Sequence, residues 1–146
     1  MPEKDYSHRS AVDKLGLQPG TAVRVVGVSA QRPTGLLAEA RERIGRGFVR
    51  AGPAEVVLYW PKSAEEITPT LAELRGQIVP NGGIWVVTAK REQRSRSGMG
   101  YLNQTDLIPL GKAAGLVDNK SCSVNEQESG MRFVIRRVDR PAASQT

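Results

Sequence analysis

Cysteine and histidine are nearly absent from this chain: Cys122 and His8 are the only ones in 146 residues. A lone thiol excludes an intramolecular disulfide framework and fits a reducing compartment, so a cytoplasmic protein is expected. One Cys and one His leave no Cys/His set for zinc, and no metal is expected. Long apolar runs are also missing. None reaches the roughly 18 residues that cross a membrane, and the N-terminal MPEKDYSHRS lacks the apolar stretch of a secretory signal. Aromatic residues make up 5% of the chain, thin material for a platform on which nucleic-acid bases stack. The common catalytic signatures do not occur: there is no G-x-S-x-G turn and no G-x-x-x-x-G-K-[ST] phosphate loop. Glu65-Glu66 reads as the first turn of a helix, where acids favour the dipole, and not as a catalytic pair. His8 sits in a polar segment with no placed acid and reads as an exposed side chain, and Cys122 as a small buried hydrophobe in a strand.

What the chain does have is ordinary globular material with a basic excess. It is 39% hydrophobic and 25% charged, and 21 Lys and Arg face 15 Asp and Glu for a net charge of +6. A length of 146 residues makes one domain with a real core. That domain is expected over 10–138, after a flexible N-terminus of 1–9 and before a disordered tail of 139–146. The basic balance points to an anionic partner, nucleic acid or an acidic protein, or else serves solubility alone.

Apolar patterning divides the domain into alternating strands and helices. Ser10 to Leu15 reads as a short helix, and Ala22 to Val28 as a buried strand. Gly35 to Ile44 reads as a helix behind a Thr34 cap, Phe48-Val49 as a very short strand, and Glu55 to Trp60 as a clear one. Ser63 and Glu66 have the spacing of a capping box. The helix they open carries Ile67, Leu71, Leu74 and Ile78 at roughly helical spacing. Pro69 either kinks that helix or marks its true start. Pro80-Asn81-Gly82-Gly83 reads as a turn before the strand Ile84 to Thr88. Lys90 to Asn103 is a long polar loop. A helix from about Thr105 to Ala114 follows, then strands Leu116 to Asn125 and Met131 to Val138 joined by a turn at Glu126 to Gly130. Three or four alternations of this kind make a mainly parallel sheet with helices on both faces, and the last two strands form an antiparallel hairpin.

The cassette VPNGG followed by a strand resembles an element that precedes the fifth strand of class I S-adenosylmethionine-dependent methyltransferases. The helix ending in AGL and the hairpin after it resemble that superfamily's C-terminal end. More closely, DKLGLQPG, EVVLYW, NGGIWVVTAK and AAGLVDNKSCSVNEQESGMRFV resemble a family of small uncharacterised bacterial proteins, the domain of unknown function 3052 family. The resemblance covers roughly residues 7 to 138. It implies an αβα Rossmann-like, methyltransferase-like fold in shortened form, because the chain lacks the length for the half of the sheet that holds adenosine. Loss of that half leaves Ala22–Val28 near one sheet edge. The expected order runs from Phe48-Val49 through Ala22–Val28, Val56–Tyr59 and Ile84–Thr88 to Met131–Val138, with Leu116–Asn125 outermost. If Phe48-Val49 fails to form a strand, Ala22–Val28 is an apolar edge guarded only by Arg24, and a homodimer is expected.

The resemblance also says where to look for function. Methyltransferases hold their cofactor on a glycine-rich turn after the first strand, where glycine lets the backbone approach the ligand. Here the stretch is VVGVSAQRPTG, which keeps Gly27 but continues with Val28, Ser29, Ala30 and Gln31. The next strand position runs into Arg50-Ala51-Gly52-Pro53 and offers no acid for the cofactor ribose. No bound cofactor is therefore expected. At the end of the second clear strand, YWPK keeps one proline of the motif found in amino-methylating relatives and has no Asn or Asp. Gly27, Ser29, Trp60 and Lys62 are the candidate lining of a remnant crevice, with Trp60 alternatively a core aromatic. Lys90, Arg91, Arg94 and Arg96 are candidate anion or nucleic-acid contacts, or a solvated charged loop. The leading expectation is a non-catalytic binding module. The alternatives are a divergent methyltransferase or nucleotide-ligand enzyme, and a self-associating structural protein.

Overall fold

The computed structural model of the protein describes residues 11–27, 35–89, 104–124 and 128–140. Its elements run α1 (Ala11–Lys14), β1 (Val23–Val26), α2 (Gly35–Ile44), β2 (Ala54–Tyr59), α3 (Ile67–Arg75), β3 (Ile78–Ala89), α4 (Gln104–Ala113), β4 (Leu116–Ser123) and β5 (Glu128–Ile135). A 3-10 turn, Arg137–Asp139, follows. The sheet order is β1-β2-β3-β5-β4. The first three strands are parallel, and β5 pairs antiparallel with both β3 and β4. The C-terminal strand thus lies inside and β4 outermost, the order expected for a sheet that lacks its adenosine half.

Helices cover both faces, so the inner strands are apolar on both sides. On one face Val57, Tyr59, Ile84, Val86 and Phe133 pack against Ile67, Leu71 and Leu74 of α3 and Leu107 of α4. On the other, Val23, Val56, Leu58, Trp60, Trp85 and Val87 pack against Val12 of α1, the following Leu15 and Leu17, and Ala40 and Ile44 of α2. The period-2 alternation assigns neighbouring residues of β2 and β3 to opposite cores. Asp13 and Arg43 join α1 to α2 with an ion pair at 2.8 Å.

Four local expectations are corrected. Phe48-Val49 forms no strand. The segment nevertheless lies beside β1, because Val49 N–H donates to the Val23 carbonyl at 2.8 Å. Arg24 reinforces this by donating to the Gln77 side-chain oxygen and to the Gly52 carbonyl at 2.6 Å, so it holds the 49–53 segment against the edge. The second correction concerns Ile78, which opens β3; α3 stops at Arg75, with Gly76 as its C-cap. Third, Glu66 makes no capping bond. Its carboxylate accepts the Tyr59 hydroxyl at 2.8 Å instead. Pro69 is the third residue of α3, in the first turn, where a backbone N–H has no intrahelical acceptor and its loss is harmless.

The fourth correction is the largest. Pro80-Asn81-Gly82-Gly83 is no turn between elements but part of a twelve-residue β3. Pairing with β2 moves from Ala54↔Ile78 to Val56↔Gly83, so residues of β3 bulge out between the two registers. Glycine fits there without displacement: a Cβ on Gly82 would stand 2.9 Å from the Glu55 carbonyl oxygen and 3.1 Å from that of Val79. At the other end of the strand pairs, β4 and β5 stop at Ser123 and Ile135, earlier than expected, and β5 starts at Glu128 within the anticipated turn.

Candidate functional site

Ligands in open α/β sheets bind beyond the carboxyl ends of the parallel strands. That edge is formed here by the ends of β1, β2 and β3 together with the start of β5, which runs the opposite way. Gly27 follows β1 with φ +85, a left-handed conformation that glycine adopts without strain. A Cβ on it would overlap the Trp60 carbonyl oxygen, and the carbonyl carbon would lie 3.0 Å away. Trp60 N–H in turn donates to the Val26 carbonyl at 2.9 Å. The bare face of this glycine therefore meets the backbone at the end of β2.

The Trp60 side chain turns inward. It is 2% exposed and belongs to the α1/α2 core. Its indole Nε1 donates to a Glu128 carboxylate oxygen at 3.2 Å. Glu128 is itself 7% exposed and pairs with Ala89 across the β3–β5 ladder. The indole–carboxylate bond thus spans β3 and joins the end of β2 to the start of β5. On the opposite face, burial raises the pKa of the Tyr59 phenol well above its ordinary value; Thr70 lowers it and Glu66 raises it. The phenol stays protonated and donates to Glu66. Pro61 is buried, and Lys62 beyond it is exposed.

The structure therefore brings Gly27 and Trp60 into contact and leaves Lys62 at the surface two residues on. Ser29, Lys90, Arg91, Arg94 and Arg96 lie outside the described residues, as do His8, the 1–9 segment and residues 141–146. Glu128 was not foreseen. It stands in the polar run Asn125 to Ser129, where nothing distinguishes it from Glu126; only its register opposite Ala89 buries it. Cys122 is half-buried, not fully buried, and packs against the α1/α2 core. Burial pushes its thiol pKa up, with Lys14 and Lys120 partly offsetting the rise, so the nucleophilic thiolate is disfavoured at neutral pH. Among the described residues no three His, Cys, Asp or Glu side chains gather as a metal set, and no helix is long and apolar enough to cross a membrane.

Comparison with known proteins gives a family and a fold. The family described as Protein of unknown function (DUF3052) matches residues 12–137, and the chain belongs to it. No functionally curated protein matches the sequence. Among solved structures, a SAM-dependent methyltransferase from Aquifex aeolicus superposes with a TM-score of 0.64 at 14% identity, over 85% of this chain and 87% of the other. A TehB-like SAM-dependent methyltransferase from Corynebacterium glutamicum gives 0.56 at 10% identity, over 86% and 85%. The CcbJ methyltransferase from Streptomyces caelestis gives 0.58 at 10% identity, over 86% and 87%. Identities this low establish the methyltransferase-like Rossmann fold and nothing about activity.

Proposed function

We propose that this DUF3052 protein is a non-catalytic binding module that keeps a methyltransferase-like fold and meets an anionic partner at the carboxyl edge of its sheet. The observation that carries this reading is the contact between Gly27 and Trp60. A glycine at that turn serves a methyltransferase by letting the backbone approach the cofactor. Here its open face is filled by the Trp60 carbonyl. The neighbouring indole and the Glu128 carboxylate bond to each other. The sequence supports the same conclusion, since no further glycine follows before Gly35 and no acid stands in Arg50-Ala51-Gly52-Pro53.

The anionic partner is supported by charge and connectivity. The chain leaves β3 at Ala89 and passes directly into Lys90, Arg91, Arg94 and Arg96, and exposed Lys62 follows β2 at the same edge. Cations grouped this way follow a phosphate backbone without reading sequence. Nucleic-acid affinity measured over a range of salt concentrations tests the reading. Replacing Lys90, Arg91, Arg94 and Arg96 together with Ala should weaken binding and flatten the salt dependence by about one unit of slope per lost phosphate contact. Equal slopes for the two proteins, or no binding by either at low salt, would reduce the basic stretch to a solubility feature. Calorimetry with S-adenosylmethionine tests the other half: no saturable heat is expected, and micromolar binding would favour a divergent methyltransferase.

A further inference from the structure

At the opposite, amino edge of the sheet an open groove of about 470 Å³ lies between the α1–β1 loop and the start of β3, lined by Gln18, Thr21, Glu55, Asn81, Gly82 and Arg132 among others. Its size falls within the roughly 300–1,000 Å³ usual for small-molecule sites. The wall on the β3 side is the bulge that carries Asn81 and Gly82, the feature that most departs from a regular strand here. Bulges are frequent next to binding sites because they re-aim a strand locally.

Arg132 forms the other notable wall. It sits opposite Trp85 in the middle of β5, is half-buried, and its guanidinium lies against Gly83. A Cβ on Gly83 would stand 2.6 Å from the Arg132 Cζ, so the seat exists only because position 83 has no side chain. Among the described residues, the Arg132 side chain has no hydrogen-bond or ion-pair partner. Burial lowers its pKa, and the like charge of Arg140 lowers it further, with no carboxylate acting in the other direction. Glu55 lines the same groove but does not offset that charge. Arg140 is itself anchored, its Nε donating to the Ile135 carbonyl at 2.8 Å.

The geometry points to a binding site for a small anionic ligand at the amino edge, with a phosphate or carboxylate group seated on the Arg132 guanidinium and the rest of the ligand along the Asn81–Gly82 bulge. A guanidinium presents paired N–H donors that match the two oxygens of such a group. The Arg132 guanidinium lies against Gly83, partly stripped of water and unneutralised, and an oxyanion supplies what it lacks. Glu55 limits the ligand. A chain of repeated negative charges running along the groove would meet that carboxylate, whereas a small molecule with one acidic end would not. The site is therefore separate from the carboxyl-edge contact with a polyanion and does not depend on it.

The test uses the full-length protein labelled with ¹⁵N, titrated separately with inorganic phosphate and with acetate in chloride buffer at constant ionic strength. Saturable shifts are expected at the Gly82 and Gly83 amides and at the Arg132 Nε–H. The two anions distinguish a phosphorylated from a carboxylated ligand. Arg132→Met, which keeps most of the side-chain length without the charge, should reduce the affinity at least about tenfold, a difference of about 1.4 kcal/mol. Arg132→Lys should retain part of it. No saturable shift at Gly82 and Gly83 with either anion, or equal shifts in the Met variant, would overturn the proposal. Should the Met variant fail to fold, the wild-type titration still decides, since shifts confined to other surfaces count against it.

Discussion

The two edges of one sheet treat their polar groups in opposite ways. At the carboxyl edge the groups answer one another: Gly27 meets the Trp60 backbone, the Trp60 indole bonds to Glu128, and Tyr59 bonds to Glu66. At the amino edge a guanidinium lies against Gly83 with its charge uncompensated. Rossmann-like sheets ordinarily bind at the first of these edges. The contrast shows that fold position alone does not locate a site. What matters is whether the buried polar groups there still lack partners, because a group that has found one inside the protein offers little to a ligand.

Substitutions can break this contrast. The largest effect is expected at Gly27. Gly27→Ala combines a left-handed φ with overlap on the Trp60 backbone carbonyl, and should destabilise by about 3 kcal/mol or more. Urea denaturation measures it, and a near-neutral result would mean that β1 and β2 are not closed on each other. Next comes Glu128→Ala, which removes the carboxylate that accepts from a buried indole N–H. A loss of about 1–3 kcal/mol is expected in the same assay. A stability equal to the wild type would indicate that the indole bond contributes nothing to holding the edge.

The amino edge should respond more mildly. Gly82→Ala places a methyl among the Glu55, Val79 and Ala54 carbonyls at 2.9–3.2 Å, and the bulge must shift by a few tenths of an ångström. A loss of about 1–2 kcal/mol is expected, together with weaker anion binding. Arg132→Met should change stability least, and in the stabilising direction. A lowered pKa means that the folded state holds the charged form less well than the unfolded chain does, so the charge opposes folding at every pH below that pKa. Removing it should be neutral or favourable by up to about 1 kcal/mol. A clear destabilisation would show that Arg132 has a structural role that its lack of partners conceals.

Much of the architecture is legible in the sequence. The runs VRVV and EVVLYW are β-branched and apolar because both faces of their strands are covered, and Gly35–Ile44 falls where its apolar spacing puts it. Sheet order was legible because a shortened chain with right-handed crossovers leaves few arrangements. Other features depend on contacts remote in sequence. Pro80-Asn81-Gly82-Gly83 reads locally as a turn, and only pairing with β2 keeps it in the strand as a bulge. Ile78 continues the spacing of Leu71 and Leu74, although Gly76 has already ended the helix. Glu128 looks no different from Glu126 in the sequence, and only its register opposite Ala89 buries it. Arg132, between Met131 and Phe133, has the alternation of a solvated residue. Its seat depends on Gly83, nearly fifty positions away.

The Trp60 indole N–H tests the central claim most directly, since it lies at the edge where a methyltransferase-like fold would take its cofactor. Its resonance can be followed by NMR while S-adenosylhomocysteine is added. With the indole buried and bonded to Glu128, the proton should exchange slowly with solvent and its position should stay unchanged throughout the titration. Fast exchange in the free protein, or a saturable shift on addition of the ligand, would contradict a carboxyl edge closed by its own residues.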